Sequence, residues 1–261
     1  MKNLKSSIKR GEAVNGCWLN LGSSLTAEII GIAGFDWALI DLEHGAGNEK
    51  DALAQLQALQ HTNTAAFVRV ESAQKQRIQR VLDLGAEGVM CPHISNAEQA
   101  KMLVSGLRYP PHGGRGVAKM IRASTFGRNF DDYYHTANDN LVGIVQIETV
   151  EALSHLDEIA AVDGVDVLFV GPADLSMALG IFGQYDHRLF KDAVAATVSA
   201  ANKAGKATGI LIFNVDNYNV YYNMGIRVIA CGSDGGFVAD TSRNVADKIN
   251  SMRALNEKNT Q

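Results

Sequence analysis

Two carboxylates stand where strands should end. Glu148 closes the apolar run Leu141-Val142-Gly143-Ile144-Val145-Gln146-Ile147, and Asp174 follows Val167-Leu168-Phe169-Val170 across Gly171-Pro172-Ala173. Both runs have strand length, and the two-residue period puts Gln146 on the same side as Glu148. Apposed carboxylates repel unless a proton or cation lies between them, and two carboxylates with waters and substrate oxygens are the usual surroundings of a magnesium or manganese ion. Gly171 permits close approach of backbone to a ligand, and Pro172 suits the first position of a helix. The Ala173 and Asp174 amides would then be free donors where the helix dipole favours an anion. The chemistry expected is that of a hard metal beside an anion cradle.

Other reactive types follow the same logic. His44 follows the second expected strand, Arg69 ends the third, Asn214 follows the seventh, and Ser233 or Asp234 follows the eighth. Arg69 either faces a ligand or pairs with Glu43 or another strand-end acid, and His44 is either a catalyst or a satisfied loop histidine. The Gly232 to Gly236 stretch reads as a tight turn, with a phosphate cradle as the alternative. His93, His112 and His135 have no metal-ligand spacing and read as structural. A Schiff-base aldolase needs a lysine at a strand end; Lys206 precedes its strand and only Lys119, in a long connection, stays open, which favours metal over imine chemistry.

These residues need a scaffold that gathers strand ends. Short apolar runs alternate with segments of helical period, the pattern of a parallel sheet with crossover helices. Strands are expected at about 14–21, 37–41, 65–70, 87–92, 141–148, 167–170, 206–213 and 227–231, and helices at about 25–33, 50–60, 74–84, 97–107, 150–161, 189–204, 215–224 and 237–255. Eight units predict a single (β/α)8 TIM barrel over residues 1–261, with its chemistry at the C-terminal strand ends. The alternative, a doubly wound sheet, lacks its Gly-x-Gly-x-x-Gly fingerprint. Tyr109 to Asn140 is too long and aromatic for a connector and is expected to be functional or at an interface.

With 261 residues, 46% hydrophobic and 20% charged, the chain can bury a large core. A formal charge of -4 gives no reason to expect nucleic acid or an anionic membrane as partner. No run approaches the roughly 18 apolar residues of a membrane span, and the basic segment Met1 to Arg10 lacks the apolar core of a signal peptide. A cytoplasmic protein acting on small molecules is expected. Cys17, Cys91 and Cys231 lie far apart inside apolar runs and read as buried, reduced thiols.

Seven motifs then resemble, in order, the HpcH/HpaI family of class II pyruvate aldolases: Gly34-Phe35-Asp36-Trp37 with Ile40-Asp41-Leu42-Glu43-His44, Val68-Arg69, Leu82-Asp83-Leu84-Gly85, Arg108-Tyr109-Pro110-Pro111, Arg115-Gly116-Val117, Val145-Gln146-Ile147-Glu148-Thr149 and Gly171-Pro172-Ala173-Asp174-Leu175-Ser176. The resemblance covers nearly the whole chain. It implies a barrel of the phosphoenolpyruvate/pyruvate-domain type that reversibly cleaves a 4-hydroxy-2-oxo acid to pyruvate and an aldehyde through an enolate. It further implies that Glu148 and Asp174 hold a divalent metal cation (Mg2+, Mn2+ or Co2+) and that Arg69 stabilises the enolate. Gly171, Pro172 and the Ala173 and Asp174 amides would receive the pyruvate carboxylate, with Gln146 against pyruvate and Asp41 near the aldehyde. His44, polarised by Asp83, would move the aldol hydroxyl proton through water, although Asp83 falls at a helix end and only the resemblance sets it beside His44. The assembly implied is a homo-oligomer, a hexamer built as a trimer of dimers, in which 109–140 and the 237–255 helix meet neighbouring copies. Departures at Pro111-His112-Gly113-Gly114 and Ala118-Lys119-Met120 leave the aldehyde open. Oxaloacetate decarboxylation by the same site, and a non-catalytic barrel that binds a 2-oxo acid, are the alternative readings.

Overall fold

The structure, a computed structural model, describes residues 4–259, so Met1 to Asn3 of the basic N-terminal segment and the last two residues lie outside the described residues. A short helix α1 (Leu4–Lys9) leads into eight parallel strands: β1 (Val14–Leu19), β2 (Trp37–Asp41), β3 (Ala65–Arg69), β4 (Gly88–Cys91), β5 (Val142–Ile147), β6 (Val167–Val170), β7 (Ala207–Ile212) and β8 (Val228–Ser233). They pair in chain order, and β8 closes on β1. The expected (β/α)8 barrel is therefore what the chain forms. Helices α2 (Ser24–Ile32), α3 (Glu49–Leu59), α4 (Lys75–Asp83) and α5 (Ala97–Leu107) follow the first four strands, and α6 (Phe130–Asn140) precedes β5. Then α7 (Val150–Ser154) and α8 (Leu156–Ala160) follow β5, α9 (Pro172–Ala178) and α10 (Arg188–Lys203) follow β6, α11 (Tyr218–Asn223) follows β7, and α12 (Asp234–Asn259) follows β8.

The two-residue strand period sorts side chains between the barrel axis and the helices. Trp18, Trp37, Leu39, Phe67, Ile144 and Phe169 point inward and form one buried cluster, while Val68, Val145 and Leu168 belong to the cluster under the helices. The interior rings are close: Trp18 and Phe169 are 5.5 Å apart between centroids, Trp37 and Phe67 5.7 Å. Room for them comes from small neighbours, since a Cβ on Gly209 would lie 2.3 Å from the Phe169 ring. Continuing the alternation one step past this aromatic layer places Asp41, Arg69, Gln146 and Glu148 on the inward side at the strands' C-terminal ends. The packed floor thus sets the site's inventory.

The structure departs from the sequence expectation in four places. Residues 4–9 form a helix that lays Leu4 and Ile8 on the interior cluster at the barrel's foot; six residues are too few for a period to be read. Within 109–140, a 3-10 turn (Arg122–Ser124) and α6 replace an irregular excursion. Arg115, buried there, donates from Nη2 to Asp83 Oδ1 at 2.7 Å and from Nη1 to the Tyr133 hydroxyl at 3.0 Å, with its guanidinium 4.6 Å from the Tyr109 ring centroid. Part of the aromatic content expected at an interface is therefore internal packing. The single helix expected at 150–161 is interrupted at His155. Finally, β8 runs on to Ser233 and α12 opens at Asp234 rather than Phe237, so 232–236 is a strand-to-helix junction and neither a loop nor a phosphate cradle. Asp234 Oδ1 accepts the Asn20 and Gly235 amides, each at 2.8 Å, and its Oδ2 accepts the Thr26 hydroxyl at 2.6 Å. Ser233 Oγ accepts the Gly236 amide. The Gly235 and Gly236 amides, donors an anion would need, are already engaged. Among the described residues, no helix is long and apolar enough to cross a membrane.

Candidate active site

Arg69 is the site's fixed cation. Asp41 and Arg69 are register neighbours on β2 and β3, and Arg69 donates Nε to Asp41 Oδ1 at 2.9 Å and Nη2 to Oδ2 at 2.7 Å. Asp41 Oδ1 also accepts the Glu43 and His44 amides. Arg69 Nη1 lies 2.9 Å from Glu43 Oε2, close enough for charge attraction, although that oxygen lacks hydrogen-bond geometry. Burial would lower the Arg69 pKa, but its Asp41 hydrogen bond and the charges of Asp41, Glu43 and Glu148 outweigh burial and hold it above the ordinary value. A guanidinium has five N–H groups; with three aimed at Asp41 and Glu43, two remain for a ligand. Trp18 lies under it, 5.8 Å away.

Glu148 and Asp174 form the site's other half. Glu148 is 2% exposed; its Oε1 accepts the His93 amide at 2.7 Å and its Oε2 accepts Gln146 Nε2. Burial pushes its carboxyl above the usual range, the His93 amide and ring pull the other way, and the charges of Asp174 and Glu43 push with burial. The Asp174 side chain, half-buried in the first turn of α9, has no hydrogen bond or ion pair among the described residues. Gly171 explains how β5 and β6 share this corner: a Cβ there would lie 2.2 Å from Glu148 Oε2, so only glycine lets the carboxylate lie across the end of β6. Pro172 takes the first helical position, as expected, and the Ala173 and Asp174 amides are among the first-turn donors that α9 cannot pair internally.

The remaining expected residues divide. His44 is 68% exposed at the barrel mouth, with Nε2 3.9 Å from Glu43 Oε1. Asp83 does not join it within one chain. Helices run antiparallel to the strands, so the C-terminal end of α4, where Asp83 pairs with Arg115, belongs to the foot of the barrel. Asp41, expected near the aldehyde, turns both oxygens to Arg69 and its own loop. Asn214 caps the turn after β7 by accepting the Asp216 amide. His93, read as structural, is instead at the site: Nδ1 is 3.2 Å from Glu148 Oε1 and Nε2 is 3.6 Å from Glu43 Oε1. The signal in the sequence is its position just past β4, since metal-ligand spacing does not single it out. Cys17 and Cys91 are buried, which pushes their thiols up to about 12, so neither is a nucleophile.

The donor set fits a hard divalent cation. Glu148 and Asp174 lie near enough for their charges to oppose each other, burial raises the Glu148 carboxyl, and the buried Gln146 Oε1 has no partner among the described residues, which together leave negative and acceptor character unanswered. Among the described residues, no group of three or more His, Cys, Asp or Glu is arranged for a metal. Held by these two carboxylates, such an ion would leave its other positions to substrate and water.

Comparison with known proteins agrees along the chain. The model of the HpcH/HpaI aldolase/citrate lyase family matches residues 15–241. A hydroxypyruvate/pyruvate aldolase of Roseobacter denitrificans is 39% identical over 249 residues, covering 95% of this chain and 97% of that one. A 4-hydroxy-2-oxo-heptane-1,7-dioate aldolase of Salmonella arizonae is 38% identical over 256 residues, covering 98% and 97%. Among solved structures, an HpcH/HpaI aldolase/citrate lyase family protein from Burkholderia cenocepacia superposes with a TM-score of 0.91 at 35% identity, over 96% of this chain and 100% of that one.

Proposed function

The chain belongs to the HpcH/HpaI aldolase/citrate lyase family, and from that premise we propose that it is a divalent-metal-dependent aldolase that reversibly cleaves a 4-hydroxy-2-oxo acid to pyruvate and an aldehyde. The observation that carries this reading is the pairing of buried Glu148 with half-exposed Asp174 at neighbouring strand ends, in a site that also holds Arg69. Bound by these two carboxylates, a magnesium, manganese or cobalt ion would act as a Lewis acid on the substrate's keto group.

The chain's own groups supply the rest. Arg69, always charged and clamped by Asp41, points its two remaining N–H groups at the oxygen where negative charge develops, a donor that needs no reorganisation. The Ala173 and Asp174 amides receive the pyruvate carboxylate over the bare Cα of Gly171, with Pro172 setting the helix start. Gln146, anchored through Nε2 to Glu148, lies against pyruvate. His44, exposed at the mouth, moves the aldol hydroxyl proton through water. Asp41 orients Arg69. Asp83 could serve a His44 only from another copy of the chain.

Such copies are part of the proposal. Along α12, Val238, Val245, Ile249, Met252 and Leu255 are more than half exposed, as are Leu25, Ile29 and Ile32 on α2. Apolar faces this extended belong against other surfaces, and we infer a homo-oligomer, a hexamer arranged as a trimer of dimers. The chemical reading is tested by Glu148→Gln and Asp174→Asn: each should abolish metal-supported cleavage of a 4-hydroxy-2-oxo acid, and unchanged turnover in both variants would sink it.

A further inference from the structure

Glu148 takes its direction from a turn on the neighbouring strand. Beyond β4 the chain reads Pro92-His93-Ile94-Ser95, and two consecutive amides of that turn reach the end of β5. His93 N donates to Glu148 Oε1 at 2.7 Å, and Ile94 N donates to the Gln146 carbonyl at 3.3 Å. The pleat of an extended strand turns consecutive amides to opposite sides, so this convergence needs a bend. His93 supplies it with φ +54, a left-handed conformation that residues other than glycine, asparagine and aspartate adopt at a cost. Such strain persists where the surroundings over-determine it.

The turn is held from both sides. Behind it, the Ser95 amide donates to Gln99 Oε1 at 2.7 Å while Asn96 Oδ1 accepts the Gln99 amide at 3.1 Å, which ties the turn to the start of α5. In front, the hydroxyl of buried Ser95 lies 2.8 Å from the Thr149 hydroxyl, which also accepts the Ala152 amide and caps α7. Glu148 stands between these anchors, Oε1 on the His93 amide and Oε2 on Gln146 Nε2. Both oxygens are thus aimed by neutral groups that do not titrate, and each keeps a lone pair for a further partner. We propose that this turn is the positioning element of the site: the left-handed backbone at His93, locked by Ser95 on Thr149, aims the Glu148 carboxylate at the divalent ion, and the His93 imidazole is not required for it. The inference rests on the reading of Glu148 as a metal ligand and assigns the groups that orient it.

The test titrates the chelator-stripped protein with manganese alone, read by calorimetry, so that no turnover enters the measurement. Ser95→Ala removes the bridge to Thr149 and leaves the cap on α7 intact; its Kd for manganese should rise about tenfold, the usual loss when a group that orients a metal ligand is removed. His93→Gly and His93→Asn tolerate the left-handed turn and should bind manganese as tightly as the wild type. His93→Val, whose branched Cβ resists that conformation, should lose about tenfold or more. Hydrogen exchange gives a metal-free reading: the His93 amide should be protected in the stripped wild type, although its side chain is 59% exposed, and Ser95→Ala should release it. Wild-type affinity in both Ser95→Ala and His93→Val overturns the inference while leaving the metal reading in place. An equal loss in His93→Gly and His93→Val also overturns it, by giving the role to the imidazole. No manganese bound by the wild type, together with no metal-dependent exchange of the pyruvate methyl protons, removes both.

Discussion

Asp41 and Arg69 sit side by side at the ends of β2 and β3, and both carboxylate oxygens of Asp41 receive N–H groups of Arg69. A planar fork held at two points cannot swing, so the direction of its free N–H groups is set before any ligand arrives. Asp41→Asn keeps the shape but removes the charge and one acceptor. It should lower kcat by about 10- to 100-fold, the usual consequence of letting a catalytic group drift. Arg69→Lys should not restore activity, because an ammonium cannot hold the two-point contact. Steady-state kinetics on either variant checks this.

Glu148 makes the metal-free protein sensitive to pH. Its carboxyl is raised above the ordinary 4.5, chiefly by burial, so the folded state holds its proton more tightly than the unfolded chain. The stability this contributes is fully present below about 4.5 and is lost as pH rises through the raised value. With a chelator present, the wild-type Tm should therefore fall relative to Glu148→Gln across that window, by about 2 to 4 °C for each kcal/mol. Adding magnesium should raise the wild-type Tm at neutral pH and leave Glu148→Gln unmoved. Parallel profiles for the two proteins would contradict the placement of the charge.

Much of this site could be read from the chain because barrel chemistry obeys a positional rule. Arg69, Glu148 and Asp174 each come at or just past the end of an apolar run, and the run alone brings them to the C-terminal face of the barrel. Partnership was not legible in that way. Whether Arg69 faces ligand or acid depends on the β2–β3 register, which puts it beside Asp41. His93 gives no local signal because its place at the site comes from proximity to Glu43 and Glu148, residues 50 and 55 positions away in sequence. Asp83 shows the opposite case: the motif that carries it is plain, yet the topology puts it at the foot of the barrel against Arg115. The first helix is not legible because six residues carry no period, and the Gly232 to Gly236 stretch reads as a turn although its glycines sit in a strand end and a helix start.

Asp83 and Arg115 separate a structural role from a catalytic one. Arg115 is wholly buried, and its Nε has no partner, so Asp83→Ala leaves a buried guanidinium without its anion. The variant should lose about 1 to 3 kcal/mol of stability, less than for a fully buried pair because Asp83 is 21% exposed. Thermal unfolding measures this. A fall in kcat with an unchanged Tm would instead show that Asp83 acts at the site of a neighbouring copy.

Oligomerisation has its own test. Val245 and Ile249 are 53% and 59% exposed on α12, one helical turn apart on the same face. Light scattering on the eluting protein should give a hexamer mass, and Val245→Asp with Ile249→Asp should reduce it. A wild-type monomer at micromolar concentration would contradict the assembly.

The central claim is that Glu148 and Asp174 hold the ion that lets this site form the enolate of pyruvate, and proton NMR of pyruvate in deuterated water tests it without knowledge of the aldehyde. With the purified protein and magnesium, the methyl signal should disappear by exchange, and it should persist with a chelator or in Glu148→Gln. Exchange that proceeds equally in the chelated protein, or in Glu148→Gln, would contradict the account.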